Sequence, residues 1–185
     1  MNTNLKLSDA ETRRASIIEA ALSVFAQSGY GSTPVAAVAT KAGISQAYVF
    51  KLYPTKEVLF VAALERCYEI VLETLGAAAD RAVGQGPAAI LEAMGDAYAR
   101  LIVDRNILMI QVHAQSAADI PAVKAVLRRG LARLVHLAKS RSGADDAAVQ
   151  SFVAFGQLCH LIVTADLTEL TDDWAQTLWR GMSHY

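Results

Sequence analysis

The apolar residues of this chain recur at helical spacing along most of its length. Ile17, Ile18, Ala21, Leu22 and Phe25 form the first such stripe, with the spacing of three to four residues that one face of an α-helix requires. No stretch alternates between apolar and polar residues over the length of a strand. The pattern therefore predicts an all-α fold of about nine helices.

Turn and capping residues divide this pattern into separate helices. Residues 8–11 form a capping box that starts the first helix, and Gly29 is expected to stop it. A Gly-Gln-Gly-Pro segment at 84–87 ends a long helix that begins after Thr55. The other predicted helices are two short ones within residues 33–53 and five in the C-terminal part, at 87–103, 106–115, 120–139, 145–167 and 172–180.

Residues 33–56 have the spacing of a helix-turn-helix. Small Ala39 lets a second helix cross close to the first, and Gly43 can take the positive φ that ends the first helix. Val49 is then expected to point into the angle between the two helices. This segment is therefore predicted to be a DNA-binding module.

Residues at the ends of these two helices are suited to capping. We expect Thr33 to cap a helix that has Pro34 at its first position, where a missing N–H costs nothing. Ser45 is expected to cap the second helix and Thr55 the following one. Pro54 disfavours helical geometry in the residue before it, so the second helix should end there.

The exposed face of the second short helix is predicted to contact DNA, since the N-terminal end of such a helix enters the major groove. Gln46 can pair with adenine and the Tyr48 ring can contact a thymine methyl, with Ala47 between them. Arg13 and Arg14, in the early turns of the first helix, could also meet phosphate, but arginines near a helix start are more often solvated, so they are left out of the predicted set. Contacts to phosphates position the protein on the duplex but do not read the base sequence. Such contacts are predicted for Thr33, Ser45, Lys51 and Lys56.

Residues 31–59, GSTPVAAVATKAGISQAYVFKLYPTKEVL, are similar to the DNA-binding signature of the tetracycline-repressor (TetR) family. The matching elements are Thr33, Ala-Gly-Ile-Ser at 42–45, Phe-Lys-Leu-Tyr at 50–53 and Lys-Glu-Val-Leu at 56–59. Phe50 stands where the family usually has a tyrosine whose hydroxyl touches a phosphate. We expect that contact to pass to Tyr48, Lys51 or Tyr53. The resemblance covers about the first third of the chain.

The resemblance implies a DNA-binding domain at residues 1–54 and a helical effector-binding and dimerisation domain at 55–185. The predicted helix at 145–167 is apolar around nearly its whole circumference, so it must be covered on two sides. We expect a second copy to cover one side, with Gly156 allowing close approach across a two-fold axis. The alternative is the central helix of a monomeric bundle. In the TetR family the last two helices form such an interface, and Trp174, Leu178 and Trp179 would join it.

Polar or polarizable side chains interrupt the apolar faces of the second domain, and they are candidates for lining a ligand pocket. The candidates are Cys67, Tyr68, Met94, Tyr98, Ile102, Met109, His113, Phe152, Phe155 and Cys159. A largely apolar cavity with few polar groups would suit a hydrophobic or aromatic small molecule. Plain core packing produces the same spacing and stays an alternative at each position.

Composition and charge change this interpretation only slightly. The 185 residues are 54% hydrophobic, with a mean hydropathy of +0.28, which is more apolar than a monomer of this size requires. No window of eighteen residues lacks polar or charged groups, and the start of the chain has no apolar segment, so we expect a cytoplasmic protein without a membrane span. Residues 1–66 carry seven Lys/Arg and five Asp/Glu, and the rest carries ten and thirteen.

No arrangement of residues indicates catalysis. The histidines at 113, 136, 160 and 184 are scattered, and there is no glycine-rich phosphate loop or metal-spaced cluster. We therefore expect no enzymatic activity, metal or cofactor. The interpretation is a homodimeric TetR-like repressor that binds a palindromic operator in double-stranded DNA and is released by a small ligand. The alternative is a helical protein-interaction module whose helix-turn-helix no longer binds DNA.

Overall fold

A computed structural model describes residues 3–180 of this chain, with side chains described from residue 11 onward. Over this range the fold contains nine α-helices, one short 3₁₀ helix and no strand, which confirms the predicted all-α class. The helices are α1 (Thr3–Ser32), α2 (Val35–Ala42), α3 (Gln46–Leu52), α4 (Lys56–Arg81), α5 (Pro87–Leu101), α6 (Arg105–Ser116), α7 (Pro121–Ser142), α8 (Asp146–Thr164), the 3₁₀ helix (Leu167–Glu169) and α9 (Asp173–Trp179).

Glycines end several helices, as the sequence predicts. Helical geometry is interrupted near the end of α1 at Gly29, which has φ 72° and ψ 176°. Gly43 ends α2 with φ 67°, and Gly84 and Gly86 follow α4 with φ 88° and 90°. These positive φ values are accessible to glycine without steric cost. The capping box predicted at 8–11 falls mostly on side chains outside the described range, and α1 itself begins at Thr3.

Several predicted helix ends are wrong, and the helix predicted over 120–139 runs from Pro121 to Ser142. Pro34 is itself the extended N-terminal cap of α2, with φ −80° and ψ 142° and no side-chain cap, and the Thr33 hydroxyl instead donates to the Gly29 carbonyl at 2.7 Å. The helix predicted over 145–167 stops at Thr164, because Asp166 takes a left-handed conformation with φ 50°. Aspartate is one of the few residues other than glycine that tolerates this region.

The chain divides into two compact units. Of the described residues, the first contains 3–69 and 105–130; in it α1 packs against α2 and α6, and α2 packs against α3. The second contains residues 70–104 and 131–180; in it α5, the 3₁₀ helix and α9 pack against α8. Helix α6 thus belongs to the same compact unit as the helix-turn-helix, although it lies far from it in sequence, and it packs against α1. A functional boundary between residues 54 and 55 stays a prediction.

Candidate DNA-binding surface and ligand-binding residues

Helix α3 is seated on α2 by the residues that the spacing predicted. Val49 is completely buried, and Ala39 is buried opposite it. The turn between the helices is closed by two hydrogen bonds, in which the N–H of Gly43 donates to the Thr40 carbonyl at 3.1 Å and the N–H of Ile44 donates to the Ala39 carbonyl at 3.0 Å. A short helix held in this way presents its opposite face to solvent.

The N-terminal end of α3 is capped as predicted. Ser45 has extended backbone geometry, and its hydroxyl oxygen accepts a hydrogen bond from the backbone N–H of Tyr48 at 3.2 Å. Because the hydroxyl accepts in this bond, its own proton remains available for a phosphate oxygen. The cap and the predicted phosphate contact of Ser45 are therefore compatible.

The outer face of α3 is open to solvent. Gln46, Ala47 and Lys51 are exposed, and Phe50 is 38% exposed. Tyr48 is half-buried. These five side chains lie together on the part of the helix that the sequence predicts to face DNA.

Two arginines of α1 support this face, and both were outside the predicted set. The guanidinium carbon of Arg13 lies 6.0 Å from the centroid of the Tyr48 ring, within the range of a cation–π contact. Arg14 hydrogen-bonds Tyr53; burial raises the pKa of the Tyr53 hydroxyl, and the positive charge of Arg14 partly opposes that shift. Both arginines are exposed. Their approach to α3 depends on the packing of α1, which no local sequence signal reveals.

Three residues of the predicted interface make contacts inside their own unit; Thr33 and Tyr53 are buried, and Lys56 is half-buried. Nζ of Lys56 donates a hydrogen bond to the Gly31 carbonyl at 3.0 Å, and the same nitrogen lies 4.9 Å from the centroid of the Tyr30 ring. Thr33 is 1% exposed and Tyr53 is 7% exposed. The direct DNA contacts predicted for these three residues therefore do not enter the interface proposed below.

Four predicted ligand-pocket residues lie in the first compact unit. Cys67 and Tyr68 are buried, and the Cys67 thiol contacts a backbone carbonyl of α6 at 3.5 Å. A Cβ built on Gly130 would lie 2.5 Å from the Tyr68 ring, so the two helices meet there without a gap. Burial raises the pKa of Tyr68 to about 12. Met109 and His113 are half-buried.

The other six pocket candidates lie in the second compact unit. Buried and half-buried positions are mixed among them: Met94, Ile102 and Cys159 are buried, whereas Tyr98 and Phe152 are half-buried. The sixth, Phe155, is 56% exposed. Phe155 therefore belongs to the solvent-facing side of α8 and does not line an interior site of this unit.

A tyrosine–histidine pair forms a partly buried polar group inside the second unit. The Tyr98 hydroxyl and Nε2 of His160 are 2.5 Å apart, and His160 is 4% exposed. Nδ1 of His160 is buried and has no hydrogen-bond partner among the described residues. The sequence did not reveal this pair, because its members are 62 positions apart.

Gly156 has a different neighbour from the one predicted. A Cβ built on it would lie 3.8 Å from the Tyr98 ring, so this glycine faces α5 within its own unit. Close approach of a second copy at Gly156 is therefore not part of the dimer proposed below. Gly156 instead gives the Tyr98 ring room beside α8.

His160 should make the second unit less stable in acid. Burial lowers its pKa from 6.5 to about 4, so between these values the unfolded chain takes up a proton that the folded chain does not. Stability is unaffected above about pH 7 and falls as the pH drops through this window, by about 3 kcal/mol in total. Urea unfolding from pH 7.5 to 4 measures the loss of unfolding free energy in the wild type and in His160→Gln.

The control for this pH series is His136→Gln, since His136 is exposed. That variant should keep the acid destabilisation of the wild type, whereas His160→Gln should lose most of it. Identical pH profiles for all three proteins would show that His160 is not protonated differently in the folded and unfolded states.

Within the part of the chain that the structure describes, no three His, Cys, Asp or Glu side chains come together in a way that could hold a metal ion.

Comparisons with known proteins agree with this geometry. The sequence profile described as "Bacterial regulatory proteins, tetR family" matches residues 17–63, which span α2, α3 and the flanking parts of α1 and α4. No curated protein matches the chain significantly in sequence.

Solved structures share the fold along nearly the whole chain. A protein described as a transcriptional regulator from Pseudomonas aeruginosa PAO1 has 23% identity over 91% of this chain and 86% of its own, with a TM-score of 0.69. A TetR-like transcriptional regulator from Rhodococcus sp. RHA1 has 22% identity over 94% and 97%, with a TM-score of 0.65. The multidrug binding protein EbrR, complexed with imidazole, has 18% identity over 93% and 88%, with a TM-score of 0.67.

The profile match covers the helix-turn-helix, and the structural matches extend the same fold through the remaining helices. Residues 17–63 of the chain therefore form a helix-turn-helix domain of the tetR family of bacterial regulatory proteins.

Proposed function

We propose that this protein is a cytoplasmic transcriptional repressor without catalytic activity, which binds a palindromic operator as a homodimer and is released by a small ligand. The observation that carries the proposal is the exposed N-terminal end of α3, capped by Ser45 and presenting Gln46 to solvent. That end of a helix-turn-helix is the part that enters the major groove.

Each side chain at this surface has a proposed role. Gln46 and Tyr48 contact base edges, and Ser45 and Lys51 contact phosphates. The contact between Arg13 and the Tyr48 ring restricts both side chains before DNA is bound and adds a positive charge beside the groove. Thr33, Tyr53 and Lys56 act indirectly, because they fix the ends of the helices that carry these groups.

The solvent-facing side of α8 supports a dimer. No charged residue occurs from residue 147 to 165, and Phe155 and Leu161 are 56% and 61% exposed. Trp174 is 58% exposed on α9, which packs against α8. Burying a large apolar side chain contributes about 1.5–3 kcal/mol, so a second copy on this face would be held firmly.

A membrane is the competing occupant of this face. Helix α8, with a mean hydropathy of 1.5, is the one helix in the described part that is long and apolar enough to cross a membrane. We favour a second copy because the buried side of α8 already packs against α5 and α9. A helix fixed on one side by its own unit needs cover only on the other.

The proposed effector is a small hydrophobic or aromatic molecule with one hydrogen-bonding group. Tyr98 and His160 provide the polar group for it, and Met94, Ile102 and Phe152 are the apolar candidates of the same unit. EbrR, which has this fold, is a multidrug binding protein, and this supports the proposal of a ligand site in the present chain. The ligand can release DNA only through a difference in its affinity for the bound and free conformations.

The test is selection of duplexes from a random library, followed by measurement of affinity against salt concentration. We expect a palindromic sequence to be enriched, and its affinity should fall steeply with salt because bound phosphates release counterions. The protein-interaction alternative makes the opposite prediction, since a helix-turn-helix that has lost DNA binding would retain no duplex even in dilute buffer.

A further inference from the structure

We propose that the cleft between the end of α1 and the end of α6 is a second small-molecule site, which takes a small organic cation with an apolar body. The cleft has a volume of about 410 Å³ and opens to solvent, a size typical of ligand sites. It is lined by residues 28–31 and by side chains that include His113, Asp119 and Ile120. All of these residues lie in the first compact unit.

The charge of the lining favours a cation. Asp119 is a lining carboxylate, and no Lys or Arg is among the described residues that form the wall. Helix α6 ends at Ser116 and the regular part of α1 ends at Gly29, so two helix C-terminal ends also meet the cleft. Each such end carries about half a negative charge. Helix α7 begins at Pro121, two residues after Asp119, and the Asp119 carboxylate offsets the positive end of that helix dipole.

The imidazole of His113 provides a specific hydrogen-bonding group. Its Nε2 is buried and has no partner among the described residues, which costs about 1–3 kcal/mol. A ligand ammonium group could donate to this nitrogen after a small rotation of the ring. Tyr30 and Ile120 supply apolar surface for the rest of the ligand.

The cleft wall is connected to the helix-turn-helix by named contacts. Gly29 accepts a hydrogen bond from Thr33, which precedes α2, and Gly31 accepts one from Lys56 at the start of α4. The His113 ring lies directly against Gly29, since a Cβ built there would be 3.0 Å from Nδ1. A ligand that displaces the ring or residues 29–31 would therefore shift the supports of α2. This regulatory consequence rests on the proposed DNA binding, whereas binding of the cation does not.

The experiment is calorimetric titration of the full chain, without DNA, with 2-phenylethylammonium, its neutral analogue 2-phenylethanol and the anion 3-phenylpropionate. We expect the cation to bind at least about tenfold more tightly than the other two. Asp119→Asn should weaken the cation about tenfold, and His113→Gln should weaken it severalfold. Gly31→Leu should abolish binding, because a Cβ at Gly31 meets no atom within 4 Å and the side chain can occupy the cleft without unfolding the protein.

Glu92→Gln is the matched control, since Glu92 is an exposed carboxylate on α5 in the other unit. It should leave cation binding unchanged. Equal binding of the three probes, no binding of the cation, or insensitivity to both Asp119→Asn and Gly31→Leu would overturn the proposed site. If the cation binds with the expected pattern but no duplex is bound, the site stands and the proposed function fails. If both bind, the cation should change duplex affinity in the wild type and leave it unchanged in Gly31→Leu.

Discussion

Replacing Leu161 with glutamate is expected to convert the protein from a dimer to a monomer and to weaken operator binding by at least about a hundredfold. Leu161 is 61% exposed on the uncharged face of α8, so the substitution should not disturb its own unit. Across a dimer interface it would bury an unpaired carboxylate, which is strongly unfavourable. Without the second protomer, each helix-turn-helix would bind its half-site alone. Analytical ultracentrifugation and fluorescence anisotropy with the selected duplex measure the two effects.

Val83→Glu is the matched control for this substitution. Val83 is 72% exposed after the end of α4, so the same negative charge is introduced outside the proposed interface. It should leave the dimer and the operator affinity intact. A Leu161→Glu protein that remains dimeric would exclude this face of α8 as the interface. Binding of the monomeric wild type to lipid vesicles would show instead that a membrane covers it.

Replacing Tyr48 with alanine should relax sequence choice, whereas replacing Lys51 should weaken binding to all duplexes alike. Loss of a base contact costs about 1–3 kcal/mol of discrimination, so Tyr48→Ala should lose tenfold or more on the selected operator and little on random DNA. Lys51 is exposed on α3, and loss of one phosphate contact should reduce the salt-dependence slope by about one. Affinity for both duplexes over a salt series separates the two roles.

The control for the charge change is Lys124→Ala, since Lys124 is exposed on α7 and outside α2 and α3. It should leave both affinities and the salt slope unchanged. Lys56 is a poor choice for the same experiment, because its removal also breaks the hydrogen bond to Gly31. Proportional losses on specific and random DNA for both Tyr48→Ala and Lys51→Ala would contradict the division into base and phosphate contacts.

The sequence by itself determined the helices, most of their ends and the helix-turn-helix. Gly43, Ser45 and Thr55 act at their positions through steric freedom or hydrogen bonds that span at most a few residues. Such signals can be read from neighbouring residues, since the partner group is fixed once the helix forms. The burial of Val49 follows for the same reason, because its place in the turn sets its direction.

Only the tertiary structure decided which polar side chains remain available for function. The packing of α1 brings Arg13 onto Tyr48, and it is Gly31 of the same helix that Lys56 holds. The contact of α5 with α8 pairs Tyr98 with His160. Each contact joins residues far apart in the chain, so it depends on the packing of whole helices. A side chain's type shows what it could bind, but its neighbours in space determine whether that capacity is already used.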